Sequence, residues 1–194
     1  MEGITGPGTG SGNEGQPRRR AWPVGSALIA ISLLLALPSQ AAKWSRRYIA
    51  SLDDSAFASV EMTEEGKKVR HLPHHDHTGA LDLPHLLSAL SRLHQVKWVD
   101  PKNREGAEAH LQEHVRVYRE TKIAQSRVTF PLDLNRASVQ ELQALPFIGP
   151  KRASAIVGFR TEHGRFRSVE ELRQVPGIGP TLFGIVKDLV TVTP

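Results

Sequence analysis

The sequence predicts an all-α protein, and three observations carry that expectation. A thirteen-residue pattern recurs thirty residues later, without a gap, near the C-terminus. Two stretches upstream of it place apolar residues at helical spacing, and a Leu-rich uncharged run near the N-terminus has the makings of a short apolar helix. The expected organisation is a disordered N-terminus over 1–20 and a signal peptide or membrane anchor over 21–42. A small helical region of unassigned role follows over 43–130, and a domain of two helical hairpins over 131–194.

Composition sets the outer bounds. The 194 residues carry a formal net charge of +5, a mild bias toward polyanionic partners. The chain has no cysteine, which excludes disulfides, thiolate-ligated zinc, iron–sulfur clusters and thiol nucleophiles. Hydrophobic residues make up 39% of the chain, enough for a packed core.

The elements follow in order. Residues 1–20 are rich in Gly, Pro, Ser and Thr, bury too little apolar surface to offset chain ordering, and end in Arg18, Arg19 and Arg20. The uncharged stretch 21–42 has an apolar heart of fourteen residues, 24–37. As a helix that heart spans ~21 Å against a bilayer core of ~30 Å, so it fits the hydrophobic region of a signal peptide better than a full span. Ser39, Ala41 and Ala42 supply small residues of the kind a signal peptidase accepts. With its flanks the stretch is also long enough for an uncleaved anchor, and Lys43, Arg46 and Arg47 balance the three upstream arginines, so topology stays open.

In the middle region, Asp82 is placed to cap a helix whose Leu83, Leu86, Leu87, Leu90 and Leu93 form one stripe. A second helix is expected over 104–125, after the turn-forming run Asp100-Pro101-Lys102-Asn103, with Ala107, Leu111, Val115 and Tyr118 on one face. His71, His74, His75, His77 and His85 cluster in sequence. Imidazoles at this density suit zinc, copper or nickel, but Pro73, Gly79 and Pro84 interleave them, and a solvated linker is the plainer reading. No metal ligand, cofactor or catalytic residue is assigned.

The repeat carries most of the information. SVQELQALPFIGP at 138–150 aligns with SVEELRQVPGIGP at 168–180, identical at eight of thirteen positions. Ser138 with Glu141, and Ser168 with Glu171, have the spacing of capping boxes that start a short helix. Each helix runs into a tight turn, Phe147-Ile148-Gly149-Pro150 or Gly177-Ile178-Gly179-Pro180, whose isoleucine is expected to point inward. Pro150 and Pro180 suit the first position of a second helix, where a missing amide hydrogen costs nothing. Amides left at such a turn and helix start converge on one point and favour an anion, and a phosphodiester fits there without any base being read. The expected contact residues are Ile148, Gly149, Lys151 and Arg152 at the first turn and Gly177, Ile178, Gly179 and Thr181 at the second. Arg160 and Arg165, with Arg167, extend the positive charge around the connection.

The stretches LDLNRASVQELQALPFIGPKRASAIVGFR and HGRFRSVEELRQVPGIGPTLFGIVKDLV resemble the paired helix-hairpin-helix domain of the ComEA family of bacterial DNA-uptake proteins. The resemblance covers about a third of the chain. It implies export and sequence-independent binding of double-stranded DNA outside the cytoplasmic membrane, on the periplasmic side or anchored facing outward. This chain departs from the family's pattern at Phe147, where glycine is usual, and at Thr181, where a basic residue is frequent. The expected function is non-catalytic DNA binding in competence. The membrane is a further partner if the N-terminal segment is uncleaved. The alternatives are an envelope protein-interaction module that does not bind DNA, and a metal-handling protein built on the histidines.

Overall fold

The computed structural model describes residues 44–193, so the expectations for 1–20 and 21–42 lie outside the described residues. Among the described residues no helix is long and apolar enough to cross a membrane. The chain begins with helix α1 (Arg46–Ser51), started by the Ser45 hydroxyl, which accepts from the Tyr48 amide at 3.1 Å. Strands β1 (Phe57–Met62) and β2 (Lys68–Pro73) then pair antiparallel, with Phe57 opposite Pro73 and Met62 opposite Lys68. Helices α2 (Leu83–Arg92) and α3 (Asn103–Gln125) follow.

The described residues are mostly helical, but the all-α expectation needs correcting at this hairpin. A strand pair is usually legible as period-two apolar alternation. Here the pattern is hidden, because β1 buries a charge: Glu61 is only 5% exposed, while Val60 and Met62 face solvent. Its carboxylate accepts from the Val99 and Asp100 amides at 3.1 and 2.9 Å, from Asn103 Nδ2 at 3.0 Å, and pairs with His71 Nε2 at 2.6 Å. A residue on β1 thereby holds the turn that leads into α3, whose N-cap residue Lys102 offers no capping side chain. The two helices expected in the middle region are present. α2 starts at Asp82, whose carboxylate accepts from the His85 amide at 2.9 Å.

The C-terminal part contains α4 (Val139–Leu142), α5 (Pro150–His163), a 3₁₀ helix (Val169–Gln174) and α6 (Pro180–Val186). A two-residue parallel ladder, β3 (Leu132–Asp133) with β4 (Val190–Thr191), ties the two ends of this part together. The sequence repeat thus folds twice as short helix, turn, longer helix. Only the first copy has the expected capping box: the Ser138 hydroxyl accepts from the Glu141 amide and Glu141 reaches back to the Ser138 amide. In the second copy Ser168 caps nothing and the helix is 3₁₀. Glu171 there accepts from the Arg167 amide at 3.0 Å, one residue upstream of the expected register.

One hydrophobic core runs through the described residues, from Leu72, Leu86 and Leu111 to Leu134, Leu142, Ile156, Leu172 and Val186. A satellite of Leu52, Ala56 and Phe57 sits beneath Trp44, Tyr48 and Ile49.

Burial alone would raise the Glu61 pKa, but the hydrogen bonds from Asn103, Asp100, Val99 and His71 outweigh it and hold it down to about 2. A carboxylate whose folded pKa lies below its unfolded value stabilises the fold above the unfolded value, and that contribution fades as pH falls. Glu61→Gln is therefore expected to lower stability at neutral pH by about 2–4 kcal/mol. The gap between variant and parent in urea denaturation should close as pH drops from about 4.5 toward 2.

Candidate nucleic-acid interface

The two turns are built alike from the backbone upward. The Leu145 carbonyl accepts from the Ile148 amide at 3.2 Å, and the Val175 carbonyl accepts from the Ile178 amide at 3.1 Å. Ile148 and Ile178 are buried beneath their turns, as their apolar character requires. The residue before each isoleucine is left-handed: Phe147 has φ 60 and Gly177 has φ 88. The glycine after each isoleucine is extended and needs no special freedom. Gly149 and Gly179 are both exposed, and a Cβ at either position would meet no atom of the protein within 4 Å. Both turns therefore present bare backbone at the start of a helix that no side chain caps.

Phe147 is a bulky residue in a region that costs an L-side chain roughly 1–2 kcal/mol. Its ring is buried and meets Tyr118 of α3 edge to face, with centroids 4.9 Å apart. Burial raises the Tyr118 hydroxyl pKa, against a smaller opposing effect from a backbone hydrogen bond with Phe147.

The predicted cations divide by environment. Lys151 is exposed and makes no hydrogen bond or ion pair among the described residues. Arg152 bridges the turns: Nη1 donates to the Phe147 carbonyl at 3.0 Å and Nε to the Gly177 carbonyl at 2.9 Å. Arg160 donates to the Leu134 and Ala137 carbonyls, each at 2.8 Å, and Arg165 donates to the Thr193 carbonyl at 3.3 Å. Thr181 sits at the start of α6 with its hydroxyl 3.1 Å from that of Ser91 on α2. A groove of about 390 Å³ runs between α2 and the second turn, lined by Leu87, Leu90, His94, Gly177, Gly179 and Thr181 among others. No local feature of the chain signals that α2 borders this turn or that Tyr118 buttresses the other.

The histidines also part company. His71 joins Glu61, His77 lies 3.1 Å from the Tyr48 hydroxyl, and His85 pairs with Asp82 and stacks on Trp44. His74 and His75 instead meet His110 and His114 of α3, and the four ligand atoms lie within 4.8 Å of one another. The segment expected as a solvated linker is ordered: the Ala56 and His74 carbonyls and the Asp76 side chain fix its backbone, and His74 is fully buried. Burial, with smaller contributions from its neighbours, lowers the His74 pKa to about 4. Burial and the charges of His110 and His75 do the same for His114, and burial lowers His110.

Helix, tight glycine-containing turn and helix, with a buried isoleucine under the turn, define a helix-hairpin-helix unit. Residues 130–191 match the family model of the helix-hairpin-helix motif. The same part is 39% identical over 61 residues to ComE operon protein 1 of Bacillus subtilis (strain 168), covering 31% of this chain and 30% of that one. It is 43% identical over 61 residues to an uncharacterised protein of Haemophilus influenzae, 31% of this chain and 54% of the relative. A shorter stretch of 45 residues is 53% identical to the kinesin-like protein KIF22 of Mus musculus, 23% of this chain and 7% of that one. The chain thus spans about a third to a half of the length of the first two relatives. Its C-terminal domain is a ComEA-like helix-hairpin-helix domain.

Arg152 holds one carbonyl of each turn, so Arg152→Ala is expected to destabilise the fold by about 2 kcal/mol, the worth of charge-assisted hydrogen bonds lost at a partly buried site. Urea denaturation measures this. Arg152→Lys should recover little, because one ammonium cannot reproduce the fork that reaches both carbonyls.

Proposed function

We propose that the C-terminal domain works as a tandem helix-hairpin-helix unit that binds double-stranded DNA without sequence preference, through phosphate contacts at its two turns. The chain acts outside the cytoplasmic membrane in DNA uptake, without catalysis. The observation that carries this reading is the exposed backbone at Gly149 and Gly179. Both precede an uncapped helix start, and nothing in the fold requires that a side chain be missing there. Bare amides at a helix start are a ready site for a phosphate oxygen. The likeness to ComE operon protein 1 supports uptake as the setting.

Lys151 supplies charge beside the first turn, and Ile148 and Ile178 hold the turns in shape. Gly177 gives the second turn its left-handed residue, and Thr181 opens the helix behind it. Arg152, Arg160 and Arg165 set backbone geometry through the carbonyls they engage while adding positive potential. The domain carries eight Lys or Arg against six Asp or Glu, a net of +2 over 131–194. So modest a charge fits an interface that engages a few phosphates. A second reading, a protein-interaction module in the envelope, draws on the groove between α2 and the second turn.

Titrating the chain with two unrelated duplexes at several salt concentrations separates these readings. Similar affinities are expected for both duplexes, with log K falling against log salt at a slope of about −2 to −4, as for two to four neutralised phosphates. Lys151→Glu should flatten that slope by about one. Gly179→Val, whose Cβ meets no atom within 4 Å, should weaken binding while leaving the melting temperature near that of the parent. Absence of binding at low salt overturns the DNA reading and leaves the interaction module.

A further inference from the structure

The four histidines where β2 meets α3 have no part in the proposed DNA contact. His110 and His114 stand one turn apart on the same face of α3. His74 and His75 follow directly on β2, and the chain around them is held from several sides. The His74 amide donates to the Ala56 carbonyl at 2.9 Å, and the Asp82 amide donates to the His74 carbonyl at 2.9 Å. Leu72, just before them, is left-handed at φ 59, a strained setting for a branched side chain. That turn aims its carbonyl at His74 Nδ1, 3.0 Å away. The left-handed Gly79 likewise offers its carbonyl to His75 Nδ1 at 2.9 Å.

Those two carbonyls decide the tautomers. A carbonyl only accepts, so Nδ1 carries the proton in both rings, and Nε2 of each neutral imidazole presents a lone pair. The Nε2 atoms then meet in a chain: His74 to His110 at 3.0 Å, His110 to His114 at 3.2 Å, and His114 to His75 at 3.2 Å. No assignment of protons to neutral rings satisfies all three contacts. If His110 and His114 each donate to their β2-side partner, two N–H groups face each other between them. If either one instead accepts from the other, its lone pair faces that of His74 or His75. A central cation accepts all four lone pairs at once. Burial lowers the pKa of His74, His110 and His114 and so favours their neutral form, the form that ligates.

Geometry and ligand type narrow the ion. At a metal–nitrogen distance of about 2.0–2.1 Å, a tetrahedron has six nitrogen–nitrogen edges of roughly 3.3–3.4 Å. Three contacts are already close to that, and the other pairs, all within 4.8 Å, draw in as the rings close on the ion. Ring centroids lie 4.5 Å apart for His74 and His75, 5.0 Å for His74 and His110, and 5.1 Å for His74 and His114. They lie 4.8 Å apart for His75 and His114 and 4.6 Å for His110 and His114, so the four rings crowd one spot. Imidazole nitrogen without any carboxylate rules against calcium and magnesium, which want oxygen. Nδ1 protons given to backbone carbonyls are the usual outer support of zinc-bound histidines. We propose that His74, His75, His110 and His114 form a closed four-imidazole zinc site that pins α3 to the end of β2. With four protein ligands the site is structural, leaving no position for a reacting water.

The test uses the complete, untagged chain stripped with a chelator, titrated with zinc chloride in a calorimeter. One zinc per chain is expected, with a higher melting temperature once bound. Cobalt(II) in place of zinc should give the intense visible bands of a tetrahedral ion. His110→Gln with His114→Gln changes two side chains on the surface of a helix, and circular dichroism checks that α3 persists. The pair should weaken zinc by more than the roughly 10–100-fold that loss of a supporting hydrogen bond costs. His77→Gln with His94→Gln, outside the cluster, should leave affinity and stoichiometry unchanged. Absence of stoichiometric binding, or binding that survives the His110 and His114 changes in a folded chain, overturns the site.

Discussion

At Phe147 the chain takes a backbone conformation that suits glycine, and the position holds because the ring is sealed against Tyr118 of α3. Burying an aromatic side chain is worth a few kcal/mol, more than the roughly 1–2 kcal/mol lost to the left-handed backbone. That balance joins three parts of the molecule. The Phe147 ring fixes the first turn to the middle region, and its carbonyl accepts from Arg152. The same guanidinium reaches the Gly177 carbonyl and so holds the second turn at a set distance from the first. A glycine at 147 would relax the turn and release it from α3.

The middle region is therefore part of what positions both turns. Glu61 secures the start of α3 from β1, which leaves the helix able to support Tyr118 fifteen residues along from its first residue, Asn103. Helix α2 stands beside the other turn through Ser91 and Thr181. The core passes from Leu86 and Leu111 into Leu142 and Ile156 without a break, so the forces that shape the turns cross the border between the middle region and the repeat.

What was legible in the sequence follows from how local each cause is. The repeat, its prolines at the first helical position, the Ser138 capping box and the Asp82 cap are decided within a few residues, and all are visible in order along the chain. The importance of Phe147 was also legible, as a bulky residue where glycine is usual, but its partner Tyr118 was not, being twenty-nine residues away. The β-hairpin stayed hidden because its buried position in mid-strand is a glutamate. The Ser168 cap failed because Glu171 found the Arg167 amide instead, in a 3₁₀ turn that spacing does not distinguish from an α-turn. His110 and His114 were in plain view at helical spacing, and only the packing of α3 on β2 brings them to His74 and His75.

One face of α3 gathers these effects. His110, His114 and Tyr118 follow at four-residue intervals, about 6 Å apart along a helix that rises 1.5 Å per residue. A helix is stiff over so short a span, so an interaction that fixes the histidine face also fixes where Tyr118 meets Phe147. Arg152, Arg160 and Arg165 are engaged with backbone carbonyls, so the proposed phosphate contact depends more on where the amides of the turns point than on the number of cations nearby. Direction is a property of packing. In this molecule the packing that sets it comes from residues well outside the repeat.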